Sequence, residues 1–217
     1  MRALRVLRTR TGALSARVER DVAALLAGDA SPAGLVRAAE RAHAALDEVD
    51  ARASSLVSTP ACSAGCSYCC HVHVDASAPE ILAVVAHLER MRTSAELDAL
   101  RGRLARHVGR VEGLSDGERW EAKIACALLG DDGRCSVYAA RPLRCRAFHS
   151  CAVEPCREAF GGREGAEPVP SPALERGHDA VEEGYDRALI AAGVGAETQR
   201  LEAGLLAALG ACYQPRR

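Results

Sequence analysis

Ten cysteines in 217 residues constrain this chain more than any other feature, because nine of them crowd into two stretches. The first stretch carries four thiols in nine residues, Cys62-x3-Cys66-x2-Cys69-Cys70. The second runs Cys126-x8-Cys135-x9-Cys145, with Cys151 and Cys156 close behind. Close spacing lets successive ligands wrap one ion at little cost in loop closure. Thiolates select zinc, copper(I) or iron–sulfur clusters over hard cations. Zinc takes four ligands, with sulfur at ~2.3 Å, and iron–sulfur clusters are also held by four cysteines. Residues 1–10 are basic (Arg2, Arg5, Arg8, Arg10), but no apolar region of secretory length follows, so no signal peptide is read there. The expected compartment is therefore the reducing cytoplasm, where clustered thiols serve as metal ligands or redox groups rather than structural disulfides. The alternative is a set of buried free thiols. That alternative is the expectation for Cys212, on the apolar face of the last helix, and Cys151 is left open between the two.

Composition narrows the function further. Lys and Arg number 28 against 29 Asp and Glu, which gives no electrostatic footprint for nucleic acid or an anionic membrane. No stretch approaches the ~20 apolar residues that span a bilayer. Hydrophobic residues make up 48% of the chain but aromatics only 3%, so the core must be built from Leu, Val and Ala. Such a core is thin, and a bound metal would add to its stability.

The rest of the chain reads as helices, and the expected fold is mainly α: a helical scaffold around an irregular, cysteine-rich metal-binding centre. Leu14, Val18, Val22, Leu25 and Leu26 recur at helical spacing over 12–28. Ser31-Pro32 is a helix start, followed by Leu35, Ala38, Ala42, Leu46 and Val49 on one face. These two segments are expected to form an antiparallel hairpin over 1–58, ended by Ser58 to Ala61. Ser77-Ala78-Pro79-Glu80 and Thr93-Ser94-Ala95-Glu96 are capping boxes that open two further amphipathic helices. Ser115-Asp116-Gly117-Glu118 opens a short one reaching Ile124. His71-Val72-His73-Val74 suggests a short strand, and Asp131-Asp132-Gly133 a turn. The Gly/Pro-rich run 161–172 reads as a linker before two closing helices, one with Leu174, Val181, Tyr185 and Leu189, the other with Leu201, Leu205 and Ala208. The division expected is 1–58, a cysteine-cluster core over 59–160 and C-terminal helices over 161–217, packed as one unit. There is no internal repeat and no βαβ rhythm.

The first cluster, followed by Gly133-Arg134-Cys135-Ser136-Val137-Tyr138-Ala139-Ala140-Arg141-Pro142-Leu143-Arg144-Cys145-Arg146, resembles the YkgJ family, a cysteine-cluster family described as chelating zinc or iron. The resemblance covers about residues 60–160, and the order of the two motifs is its specific part. It implies Cys62, Cys66, Cys69, Cys70, Cys126, Cys135 and Cys145 as the family's cysteines, with Cys156 matching one found in some members. Ala125 stands where members often have Pro, which removes no ligand. The flagellin lysine N-methylases share the cysteine motif.

Around these sulfurs, an extended backbone at Cys69-Cys70 would point the two side chains in opposite directions, toward two metals or toward one metal and a structural position. His71 and His73 would share one face of a strand and either reach a metal or, as the expected case, sit in solvent, and His149 is treated likewise. His43, His87, His107 and His178 are expected at the surface or edges of helices. Arg141 and Arg146 would hydrogen-bond carbonyls, balance thiolate charge, or remain solvated. Cys62-x3-Cys66-x2-Cys69 also fits the radical-SAM pattern, but those enzymes need a large partial β/α barrel downstream and the sequence there is helical. Three functions follow: a protein coordinating an iron–sulfur cluster or zinc in a redox or accessory role; an enzyme using an iron–sulfur centre for methyl or electron transfer; or a structural zinc module for protein interaction. No phosphate loop, Gly-x-Ser-x-Gly elbow or His-Glu-x-x-His motif points to hydrolysis.

Overall fold

The computed structural model describes residues 2–53 and 59–212, with side chains over 11–52 and 59–210. The side chains of Cys212 and of Arg2, Arg5, Arg8 and Arg10, and part of the break expected at 58–61, lie outside the described residues. The chain is mainly α, as its periodicity predicts, with nine α-helices and one two-stranded sheet among the described residues. The helices are α1 (Arg2–Gly28), α2 (Pro32–Ala53), α3 (Ala78–Met91), α4 (Ser94–Val111), α5 (Asp116–Glu121), α6 (Leu143–Ala147), α7 (Val153–Phe160), α8 (Pro172–Ala191) and α9 (Leu201–Cys212). Strand β1 (Asp75–Ser77) pairs antiparallel with β2 (Thr198–Arg200), with Ala76 opposite Gln199.

All three capping boxes form. The Glu80, Glu96 and Glu118 carboxylates accept the backbone N–H of Ser77, Thr93 and Ser115, and so fix where α3, α4 and α5 begin. Helix α5 stops at Glu121 rather than at Ile124. Lys123 takes φ = 51° and ends the helix as a glycine would, with the Ile124 N–H on the Arg119 carbonyl. The strand expected over 71–74 is displaced. Tyr68–His71 form a 3-10 turn, and pairing starts only at Asp75, where β2 offers a partner.

Two apolar clusters carry the helices. Val18, Val22, Ala42, Leu46, Val181 and Leu189 join α1, α2 and α8, with Tyr185 as their one aromatic. Val84, Leu88, Leu100, Leu104, Leu201 and Leu205 join α3, α4 and α9, and Leu128 and Val137 from the cysteine-rich loop pack into the same cluster. Helix α3 touches both α2 and α9 and so lies between the two clusters. Without bulky aromatics, helices must approach closely to exclude water. At Gly184 on α8 an added Cβ would lie 2.3 Å from the Ser15 carbonyl oxygen and 3.0 Å from the Val18 Cβ on α1. Gly184→Ala is therefore expected to lose about 1–3 kcal/mol in urea unfolding. Gly102→Ala, whose new methyl meets only a flexible Arg106 nitrogen at 3.5 Å, is expected to match or exceed wild type. Equal behaviour of the two variants would show that α1 and α8 do not pack so closely.

Candidate metal centre

Two irregular stretches meet on one side of this scaffold. The Cys126 N–H donates to the Cys70 carbonyl at 2.7 Å, a backbone bond between segments 56 positions apart in sequence. The second stretch folds back on itself through Ser136 N–H to Leu128 O and Gly130 N–H to Arg134 O, at 2.9 and 2.8 Å. Helix α6 then carries Cys145. Its first N–H, at Leu143, donates to Glu80 Oε1 at 2.7 Å, while the other oxygen of the same buried carboxylate closes the α3 capping box. One carboxylate thus fixes both the start of α3 and the helix bearing Cys145.

Between these segments lies a cavity of about 470 Å³. Cys66, Cys69, Cys70, Cys126, Cys135 and Cys145 all line it. Cys62 and Cys156 stand apart from its walls, together at a neighbouring turn. The Cys62 thiol reaches the Ser150 carbonyl and the Cys156 thiol the Ala152 carbonyl, each at 3.9 Å. All nine described cysteines are free of disulfides. Among the described residues no group of three or more His, Cys, Asp or Glu side chains already stands arranged to hold a metal ion. The cavity is walled by six soft sulfur donors, a set suited to zinc or an iron–sulfur centre rather than to a hard cation.

Residues 61–164, just under half of the chain, match the family model CxxCxxCC, described as "Putative zinc- or iron-chelating domain". This segment is a CxxCxxCC domain. It is the YkgJ-type cysteine-cluster domain that the motif order indicates, and zinc or iron is the metal its description names. No curated protein and no solved structure matches the chain at a significant level.

Within the CxxCxxCC domain, Cys69 and Cys70 do not diverge as an extended backbone would make them. They sit in the 3-10 turn with their sulfurs close enough to share a proton's influence. That interaction, aided by the Arg141 charge and opposed by burial, holds the Cys69 thiol below the usual range, and the same interaction together with burial pushes Cys70 up. Burial likewise pushes up Cys126 and Cys135, and it lifts Cys145 to about 12 with help from the Cys69 and Cys135 charges. Cys66 is raised by burial first, then by Cys62, with smaller effects from Cys69 and Cys156, so it lies electrically between the cavity and the neighbouring pair. Apart from Cys69, these sulfurs keep their protons until a cation supplies the charge that burial denies them.

The histidines are not at the surface. His71 is buried and its Nδ1 faces the Ser67 and Tyr68 carbonyls at 3.1 and 3.3 Å. His73 lines the cavity, donating from Nε2 to the Leu114 carbonyl at 3.0 Å and accepting at Nδ1 from Arg119 at 3.1 Å. His149 is buried too, accepting the Ser171 N–H at 2.8 Å. His43, His107 and His178 are buried as well, and His87, like His73, keeps partial exposure. The interhelical partners that draw them inward are distant in sequence, Glu202 for His107 and Asp50 for His178. Arg146 binds carbonyls, those of Arg141 and Ala139, and pairs with Asp47 at 2.7 Å. Arg141 donates to the Tyr138 carbonyl at 3.2 Å and lies over the Tyr138 ring at 3.7 Å.

Two supports of the site have no sequence signature. Phe160 at the end of α7 packs its ring 5.5 Å from Tyr68, 4.6 Å from His71 and 5.3 Å from Trp120, with the Lys123 ammonium 4.4 Å above it. It thereby presses the turn carrying Cys69 and Cys70 against α7. Arg119, fully buried, donates to the Ile124 carbonyl two residues before Cys126, to His73 and to Glu202.

Proposed function

We propose that the CxxCxxCC domain is a thiolate metal centre whose ligands come from Cys62, Cys66, Cys69, Cys70, Cys126, Cys135, Cys145 and Cys156. The observation that carries this reading is that sulfurs from two sequence-distant stretches line one cavity. Six sulfurs exceed the four that one zinc ion or one iron–sulfur cluster needs. With Cys62 and Cys156 next to Cys66, the surplus supports a polynuclear centre: an iron–sulfur cluster with a neighbouring thiol position, or a pair of zinc ions. The role is redox or accessory in a reducing, cytoplasmic setting. The radical-SAM alternative finds no support, since the only sheet among the described residues has two strands. No described helix is long and apolar enough to cross a membrane.

Elemental analysis with visible and electron-paramagnetic spectra on anaerobically purified protein tests this reading. At least one metal per chain is expected, with acid-labile sulfide and a brown colour for a cluster, or zinc and no colour. Cys69→Ser and Cys145→Ser should each lower the bound metal at least about tenfold, the scale on which thiolate ligation governs affinity. Protein that takes up neither zinc nor iron with sulfide on reconstitution, with its helical spectrum intact, would refute the centre.

A further inference from the structure

A metal ion or a small cluster does not use the whole cavity. At about 470 Å³ it falls in the range of small-molecule sites, roughly 300–1,000 Å³. Beside the sulfurs, part of its wall is hydrocarbon: Val72, Val74, Leu128, Val137 and Leu201. Its remaining polar lining is dominated by arginine. Arg134, Arg141, Arg144 and Arg200 face the cavity against two carboxylates, Asp75 and Asp116, an excess of two positive charges before the sulfurs are counted. Arg144 is paired with Glu182 at 3.1 Å, and Arg200 with Asp75 at 3.4 Å and Asp116 at 3.9 Å. Arg134 and Arg141 form no ion pair among the described residues. Arg141 has its guanidinium carbon 3.7 Å from the Tyr138 ring centroid and its Nε committed to the Tyr138 carbonyl, which restricts how its terminal nitrogens can turn. The rim adds a second observation. Tyr138 and Phe148, 56% and 44% exposed, both line the cavity and offer it aromatic surface that water also reaches.

We propose that this cavity also binds a small organic anion, its carboxylate or comparable acidic group on Arg134 and Arg141 and its apolar body along the hydrocarbon wall and the Tyr138–Phe148 rim. The proposal rests on the metal-centre reading in placing this ligand beside the sulfurs rather than among them. The competing role for Arg141 is counter-charge to the metal-bound thiolates, since it faces Cys69, Cys135 and Cys145. Arg134 has no such relation to the sulfurs, so the two arginines together separate the readings.

The probe is 1-anilinonaphthalene-8-sulfonate, an aromatic anion, titrated by fluorescence into full-length, metal-reconstituted protein, with neutral N-phenyl-1-naphthylamine alongside. Metal content is measured on every sample. Saturable one-to-one binding of the sulfonate is expected. Arg134→Gln and Arg141→Gln should each weaken it by roughly tenfold, the scale of one charge-assisted hydrogen bond. The neutral probe should change by less than about twofold if charge alone is lost, and the metal should stay. No binding to wild type, equal losses for both probes, or unchanged binding in both variants would overturn the proposal. So would loss of metal in Arg141→Gln with unaltered binding in Arg134→Gln. A wild type that takes up no metal yet binds the sulfonate through both arginines would count against the metal centre alone.

Discussion

Glu202→Ala will cost the folded protein about 3–5 kcal/mol, the range found when one partner of a buried ion pair is removed. Glu202 is 3% exposed and Arg119 is 0% exposed, and the two are 2.8 Å apart. His107 donates to the same carboxylate oxygen at 3.1 Å. Deleting the carboxylate would leave the Arg119 guanidinium enclosed without a counter-charge, while its remaining bonds reach only the neutral Ile124 carbonyl and His73. Arg119→Met should be destabilising to a similar degree, and the double variant Arg119→Met/Glu202→Leu should recover much of the loss, because removing both charges removes the desolvation problem. Urea midpoints at constant m-value measure all three. Single losses below about 1 kcal/mol would show that the pair is solvated.

The same carboxylate gives the acid limb of stability a defined window. Burial works against ionisation of Glu202, but the His107 hydrogen bond and the Arg119 charge and hydrogen bond outweigh it and hold the group at about 2, against an ordinary 4.5. Below about 4.5 the unfolded chain takes up a proton that the folded chain refuses until about 2. Stability from this group is therefore complete above 4.5 and is lost as pH falls toward 2. His43 acts in the same direction at higher pH. Burial first, and the Arg146 charge second, depress it from 6.5 to about 3, so protonation of the unfolded chain erodes stability across that interval. Acid unfolding should thus begin below pH 6.5, and Glu202→Ala should remove the Glu202 share of the slope below 4.5 while leaving the His43 share, which extends down to about 3.

What the sequence made legible was whatever is decided locally. Ser77 and Glu80, Thr93 and Glu96, and Ser115 and Glu118 are three residues apart, so each helix start is written in a single turn of chain. The apolar periods of α1, α2, α8 and α9 likewise need no knowledge of partners. Most of the misreadings depend on distant groups. His107 looked like a surface residue because its partner Glu202 is 95 positions away. The strand expected at 71–74 moved to Asp75–Ser77 because pairing needed Thr198–Arg200. Helix α5 ended early because Lys123 turns out over Trp120 and Phe160, and Phe160 belongs to α7. At the candidate centre the spacing singled out the thiols. It could not tell that Cys62 and Cys156 would meet at the Ser150–Ala152 turn while six other sulfurs walled the cavity, since that division depends on how the loop after α6 folds back.

Stripping the metal will separate the two halves of the core. The loops bearing the sulfurs have sparse backbone bonding, and the link from Cys126 to Cys70 is a single hydrogen bond. A metal bound by Cys69, Cys70, Cys126, Cys135 and Cys145 would cross-link both loops, and its binding energy would be folding energy for them. Zinc-finger peptides gain roughly 10–16 kcal/mol in this way; here the helical scaffold already supplies part of the order, so about 3–5 kcal/mol is expected. In a chain of this length each kcal/mol moves the melting temperature by about 2–4 °C, so chelation should lower it by roughly 6–20 °C. The loss should be local. Hydrogen exchange should quicken over 61–75 and 124–160, while α1, α2 and α8 keep their protection, because the Val18–Leu46–Val181–Tyr185 cluster draws only Leu143 and Ala147 from the CxxCxxCC domain. Restoring zinc or iron with sulfide should reverse both effects. If chelated protein melts where the loaded protein does, with exchange unchanged over the cysteine segments, the thiols do not share a metal that holds this region together.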